Sequence, residues 1–173
     1  SFGSPWKNNA SSVTAGDGDS AVVQTFTSFV LTVTNVADTT EYLNINSGAC
    51  DLTNGNSETT SLGTDLTCAV VVAGTTATVT VSHAGMTNAQ VQTVIDGISY
   101  ENTDQTPTAG ARVITITEIT DSGGTAGAGD DDAVPSNAAA TITVSAANDA
   151  PTSTGGAPGT EPNEEATYTF TVT

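Results

Sequence analysis

An all-β sandwich with one short crossover helix is the fold these residues predict, and three observations point to it. Thr and Val dominate a chain of 173 residues in which Lys, Arg, Glu and Leu are scarce. Branched side chains favour strands because their restricted rotamers suit a pleated surface better than a helix. Apolar residues recur in short runs of period two, and clusters of Gly, Asn, Asp and Ser separate those runs.

Taken in order, residues 1–20 read as loop, with Ala15-Gly16-Asp17-Gly18-Asp19 as a turn signal. Phe26 to Thr34 reads as a strand, its Val30, Leu31 and Val33 interleaved with Thr. Glu41 to Asn46 alternates, with Leu43 and Ile45 on one face. Cys68 to Val72 has the continuous apolar character of a buried strand, and in Thr76 to Ser82 the side chains of Val79 and Val81 alternate against Thr. Ile98–Asn102, Arg112–Thr120 and Ala139–Ala146 complete the set, with Val113, Ile114, Ile116, Ile119, Ile142 and Val144 as core residues. One segment breaks the period. Between Met86 and Ile98, residues Val91, Val94, Ile95 and Ile98 fall at i, i+3, i+4 and i+7, one face of a helix. Thr87 and Gln90 form a capping-box pattern at its start, and Gly97 sits where it would end. A helix there would cross between two sheets. Seven or so strands with such a crossover make an immunoglobulin-like sandwich.

Charge excludes several functions. The chain carries 19 acidic residues against Lys7 and Arg112, a net charge of −17. So few bases cannot neutralise a phosphate backbone, which excludes nucleic acid, or dock a basic patch on anionic lipid. The longest apolar run, Ala69–Ala73, falls far short of the roughly 20 residues that span a bilayer. No charged-then-apolar signal segment opens the chain, so an exported precursor would already have been processed. The expected organisation is an N-terminal loop over 1–20, a sandwich over 21–152, a Gly/Pro linker over 153–165 and a strand over 166–173.

Cys50 and Cys68 belong to no CxxC motif and have no neighbouring His. They are either two buried thiols or, the better reading, one disulfide closing the polar loop Asp51–Thr67. Closure of such a loop stabilises by about 3 kcal/mol, and disulfides persist in oxidising compartments, so the expected location is outside the cell. Asn9-Ala10-Ser11 is a glycosylation sequon of low specificity.

Three stretches resemble the cadherin-like repeats of large bacterial surface adhesins. Ala89–Thr103 (AQVQTVIDGISYENT) is similar to the repeat's helix and its following "x-I-x-Y-x-N-T" strand. The segment from Arg112 through Asp121-Ser122-Gly123-Gly124 to Asp130-Asp131-Asp132 is similar to the "TVTVxDxGG…DD" segment. Ala147-Asn148-Asp149-Ala150-Pro151-Thr152 matches the "VNDAPT" junction between repeats, the most specific of the three. With a weaker similarity over 27–46, the resemblance covers about 16–152. It implies an extracellular sandwich, often calcium-binding and often assembled into long stalks, exported by a bacterium or an archaeon.

The chain departs from that pattern at both ends. Residues 1–16 contain no convincing edge strand, yet beyond the linker Tyr168, Phe170 and Val172 alternate with Thr in a surplus strand. A lone strand cannot bury its apolar face or satisfy its backbone. It is either the beginning of a further repeat or a donor strand that fills the vacant edge of another copy, giving a head-to-tail filament. Copies this anionic repel one another, so such a filament should want salt or calcium.

The candidate metal ligands are Asp17, Asp19, Asp121, Asp130, Asp131, Asp132, Asn148 and Asp149, all in Gly/Asp-rich turns or at the junction. Calcium takes six to eight oxygens from such groups, although acidic loops also serve simply as solvated surface. No EF-hand loop, Gly-x-Ser-x-Gly elbow, Walker loop or His-Glu-x-x-His occurs. His83, the only His, falls just after a strand, and Glu164-Glu165 lie in linker sequence, a poor place for a preorganised acid–base pair. Trp6 is a candidate contact residue for a carbohydrate- or partner-binding adhesin domain, and Lys7 is the sole Lys for any side-chain cross-link. The expected function is therefore a non-catalytic structural or adhesive module whose partners are copies of itself. An excised calcium-binding repeat is the alternative, and any host or matrix ligand is left open.

Overall fold

The computed structural model describes residues 25–53, 58–61, 65–122, 132–133 and 138–146, the segments 58–61 and 132–133 by backbone alone. Ten strands and one helix run in the order β1 (Phe26–Thr34), β2 (Glu41–Ile45), β3 (Gly48–Asp51), β4 (Glu58–Ser61), β5 (Thr67–Ala73), β6 (Thr76–Met86), α1 (Asn88–Gly97), β7 (Ser99–Asn102), β8 (Gly110–Asp121), β9 (Asp132–Ala133) and β10 (Ala139–Val144). They form two antiparallel sheets. The larger has the order β10-β8-β1-β6-β5-β4, with β9 also on β8, and the smaller has the order β3-β2-β7.

Alternation along each strand writes the core. Leu31 lies beside Val79 of β6 and Ile116 of β8, while Val33 lies beside Ala77 and Ile114. The rows continue outward from Val79 to Val70 and from Ile114 to Ala140. Because the side-chain period is two, these rows give the large sheet one continuous apolar face. Leu43, Ile45, Cys50, Leu52 and Tyr100 of the smaller layer are fully buried in the same core.

Two irregularities interrupt the pairing of β1, with the extra residues in its partners β6 and β8. Between Phe26 and Ser28 its partner β6 advances from Met86 to Ser82, and between Val30 and Leu31 its partner β8 skips Thr117. Bulges of this kind increase local twist. At the first, Gly85 has φ of +149°, and a Cβ there would stand 3.0 Å from the Thr25 hydroxyl oxygen. Glycine is required by that close approach.

The helix forms as its pattern predicts. Thr87 is the N-cap, its hydroxyl accepting from the Gln90 N–H while Gln90 Oε1 accepts from the Thr87 N–H at 2.9 Å. Val91 and Ile95 are buried, and Ile98 just beyond Gly97 is buried too. The helix leaves β6 of one sheet and delivers the chain to β7 of the other, so it is a crossover.

The structure corrects the sequence reading in several places. His83 lies inside β6, which continues to Met86, and does not follow a strand. Phe26 and Phe29 join Leu31 and Val33 as the buried apolar side chains of β1, and Val30 and Val113 are only half-buried because they point to the opposite face. β3 comes from a two-residue hairpin at Asn46-Ser47, both with positive φ, the signature of a type I′ turn. The supposed loop 51–67 contains β4, which pairs with β5 from Glu58↔Val70 to Ser61↔Thr67. All-β architecture in two antiparallel layers, with a single helix among the described residues, stands.

Candidate functional site

Two charged residues fall in the apolar phase of their strands and meet in the core. Glu41 shares a face with Leu43 and Ile45 of β2, and Arg112 shares one with Ile114 and Ile116 of β8. Glu41 has no exposed surface and Arg112 is 1% exposed. Arg112 donates from Nε to Glu41 Oε2 and from Nη2 to Glu41 Oε1, each at 2.9 Å. Such a planar fork is the strongest ion-pair geometry a carboxylate finds. Glu41 Oε1 also accepts the N–H groups of Ala37 and Asp38, at 2.8 and 2.9 Å.

Asp38 joins as a second carboxylate, its Oδ2 standing 3.7 Å from Arg112 Nη2. That oxygen accepts from Asn102 Nδ2 at 2.7 Å and from the Thr108 N–H at 2.9 Å, while Oδ1 accepts the Thr108 hydroxyl. The Thr108 carbonyl in turn accepts from Arg112 Nη2 at 3.1 Å. Gly110 has φ of +151°, and a Cβ there would stand 3.3 Å from Arg112 Nη1, so glycine lets the guanidinium pass close to the backbone. The cluster therefore stitches β2 and β7 of the smaller sheet to β8 of the larger one.

Electrostatics follow the geometry. Burial by itself raises a carboxyl pKa, but at Asp38 the hydrogen bonds from Thr108 and Asn102 and the charge of Arg112 outweigh it. At Glu41 burial is likewise outweighed by the Arg112 fork, the Ala37 and Asp38 N–H groups and Tyr100, so both carboxyls titrate below their ordinary values of 3.8 and 4.5. The Glu41 hydrogen bonds keep Arg112 protonated against its burial, and burial with the Glu41 charge pushes the Tyr100 phenol upward. The sign of the linkage is fixed: the unfolded chain binds these protons more readily, so stability rises with pH through this range. The cluster's contribution should be fully present above about pH 5 and lost as pH falls through the depressed folded values. A denaturation midpoint followed from pH 6 to pH 2 checks this, and a midpoint independent of pH would remove the cluster from the stability of the fold.

Close to this cluster lies the disulfide, since Cys50 pairs with Leu43, two residues from Glu41. Cys50 of β3 and Cys68 of β5 are bonded, with Cα atoms 6.4 Å apart. The expected pairing is present, and it joins the two sheets as well as closing a loop. The β3 edge of the small sheet is thus fastened covalently and its middle strand, β2, by a buried ion pair.

The candidate metal ligands are only partly described. Asp121 ends β8, opposite Phe26, and the backbone of Asp132 pairs with Thr120, so these two acids stand at one end of the large sheet. Asp17, Asp19, Asp130, Asp131, Asn148 and Asp149 lie outside the described residues, as do Tyr168, Phe170, Val172, Trp6 and Lys7. Among the described residues no group of three His, Cys, Asp or Glu side chains converges, and no helix is long and apolar enough to cross a membrane. His83 lines an open groove of about 340 Å³ with Leu66, Met86 and Val94. Its Nδ1 accepts the Gly85 N–H at 2.8 Å, which ties the imidazole to the bulge in β6.

β2 pairs one side of β7, from Glu41↔Asn102 to Asn44↔Ser99, and among the described residues no strand pairs its other side. These features define a two-layer antiparallel β protein with a doubly fastened small sheet. Comparison with protein-family models, with curated proteins and with solved structures finds no match to the chain.

The buried cluster was the part missed by reading charge as a property of loops. The signal was there in parity: Arg112 is two residues from Ile114, and Glu41 two from Leu43.

Proposed function

We propose that this chain is a non-catalytic, extracellular structural or adhesive module of immunoglobulin-like, cadherin-like type. In this reading it joins copies of itself head to tail by strand addition, with residues 166–173 as the donor. The observation that carries the proposal is the mismatch between the sheets: among the described residues, six strands in line on one side face three on the other. A layer of three strands can take a further one by strand addition, and the sequence holds a surplus one. Tyr168, Phe170 and Val172 supply three large apolar side chains on one face of a segment without charge. Two copies of a chain with a net charge of −17 repel over most of their surfaces, so an uncharged segment is a favourable place to meet.

The fastening of two neighbouring strands of the small sheet, β3 and β2, supports a mechanical role. Force applied through an added strand would be carried to the large sheet by the Cys50–Cys68 bond and by the Glu41–Arg112 fork. The disulfide also supports an oxidising, extracellular setting. Removing residues 166–173 should leave a soluble monomer in sedimentation velocity where the intact chain forms oligomers; oligomers of equal size from both would remove the donor role.

Calcium enters the proposal through the acidic turns, with Asp121 and Asp132 as the two described members. Millimolar calcium should then raise the thermal midpoint by several degrees and EGTA should reverse it. An unchanged midpoint takes the ion out of the account.

A further inference from the structure

We infer that segment 103–109, between β7 and β8, is a strap latched by the Asp38 carboxylate. While that group is ionised the strap is closed over the Arg112 guanidinium; when the charge is lost, the strap opens by itself and both sheets stay folded.

The strap carries the chain from the smaller sheet to the larger one. Backbone pairing fixes its two ends: the Thr103 N–H donates to the Thr40 carbonyl at 3.1 Å, and Gly110 pairs with Val144 of β10. Between these anchors the grip passes through Thr108. Its N–H donates to Asp38 Oδ2 at 2.9 Å and its hydroxyl to Asp38 Oδ1 at 2.5 Å, so one residue of the strap engages both oxygens of one carboxylate. The neighbouring hydrogen bonds are local. The Thr106 N–H turns to Asp104 Oδ1 at 2.8 Å, and the Asp104 N–H to Asn102 Oδ1 at 2.9 Å. Thr103, Gln105, Thr106, Thr108 and Ala109 are exposed. A segment that buries so little apolar surface opens at low cost compared with the core.

Both terminal nitrogens of Arg112 face this strap. Nη2 donates to the Thr108 carbonyl at 3.1 Å, and a Cβ on Gly110 would stand 3.3 Å from Nη1. Lifting the strap therefore brings water to a guanidinium that is 1% exposed, and weakens its fork with Glu41 by raising the local dielectric. The hold on Thr108 depends on charge, because hydrogen bonds to an ionised acceptor are roughly twice as strong as neutral ones. The charged and titratable groups around Asp38 are Arg112 of β8, Glu41 of β2, Tyr100 of β7 and, on the strap itself, Asp104. Thr108, Asn102 and Arg112 favour the ionised form of Asp38 against its burial. The latch is thus closed above the ordinary carboxylate range and is released as pH falls through the depressed value. The Cys50–Cys68 bond between the sheets does not titrate and stays in place.

Hydrogen exchange followed amide by amide in the intact chain tests the strap, with Thr108 as its reporter and Leu31, Val79 and Ile114 reporting the core. In the parent chain, Thr108 exchange should depend only shallowly on urea and core exchange steeply, as local and global openings do. Asp38→Ala should speed Thr108 exchange by at least about tenfold, since it removes two hydrogen bonds to an ionised group, and should leave the steep slopes of the core in place. Thr108→Val removes the hydroxyl but keeps the N–H, and should act in the same direction by less. On acidification the parent's Thr108 amide should lose protection before the core amides do. A Thr108 amide that exchanges at the core's rate and with the core's urea slope would overturn the strap as a separate unit. Unchanged Thr108 protection in Asp38→Ala would overturn Asp38 as its latch; if that variant does not fold, unchanged protection in Thr108→Val does the same.

Discussion

Replacing Arg112 with methionine should destabilise the fold by about 3–5 kcal/mol, measured as a shift in urea unfolding near pH 7. Methionine keeps much of the apolar stem, so loss of packing is a minor part of the effect. The larger part is what remains behind: Glu41 without any exposed surface and Asp38 8% exposed, facing each other without a cation. The Ala37 and Asp38 N–H groups still point at Glu41, so the carboxylate is held by dipoles alone, and its pKa should climb. Changing Glu41 to glutamine in the same chain should recover part of the loss, because a neutral amide removes the uncompensated charge. The interaction energy between the two substitutions is then non-additive, as expected for residues in direct contact. Equal losses in single and double variants would mean that charge is not the origin of the effect.

Removing the disulfide by C50A/C68A should cost about 3 kcal/mol, the loop-closure figure for a bridge of this span, plus a smaller amount for two vacated core positions. Both cysteines are completely buried and sit in the same cluster as Leu52, Leu66 and Val70. Reductant should lower the midpoint of the parent chain and leave the double variant unmoved, which separates the covalent effect from packing. Cys50 stands opposite Leu43, two residues along β2 from Glu41, so the two losses are close enough to couple. Together they remove a large share of the 5–15 kcal/mol typical of a domain, and the combined variant should be unfolded or nearly so at 37 °C. A combined loss no greater than either single loss would contradict the picture of a sheet held by two separate fastenings.

The elements that were legible in the sequence share a strong, local signal. Phe26–Thr34 and the Thr87–Gln90 capping box are written in adjacent residues, and each forms where the pattern places it. The disulfide was legible because two cysteines allow one intramolecular pairing. β3, β4 and β9 were not, for a physical reason: each is two to four residues long, and strands that short owe their existence to a neighbour rather than to their own periodicity. The buried ion cluster was hidden by composition. A chain with so many exposed acids invites the assumption that every charge faces water, and only the parity of Glu41 and Arg112 says otherwise. The sheet order is a property of long-range pairing that no local pattern encodes.

Strand exchange between copies is the central claim, and one measurement addresses it most directly. The intact chain is refolded alone and in the presence of an excess synthetic peptide of the sequence 166–173, and both samples are viewed by negative-stain electron microscopy. Filaments in the first and short oligomers or monomers in the second are the predicted result, since free peptide fills the acceptor edge before another copy can. Filaments of unchanged length in the presence of the peptide, or none in its absence, would contradict the account.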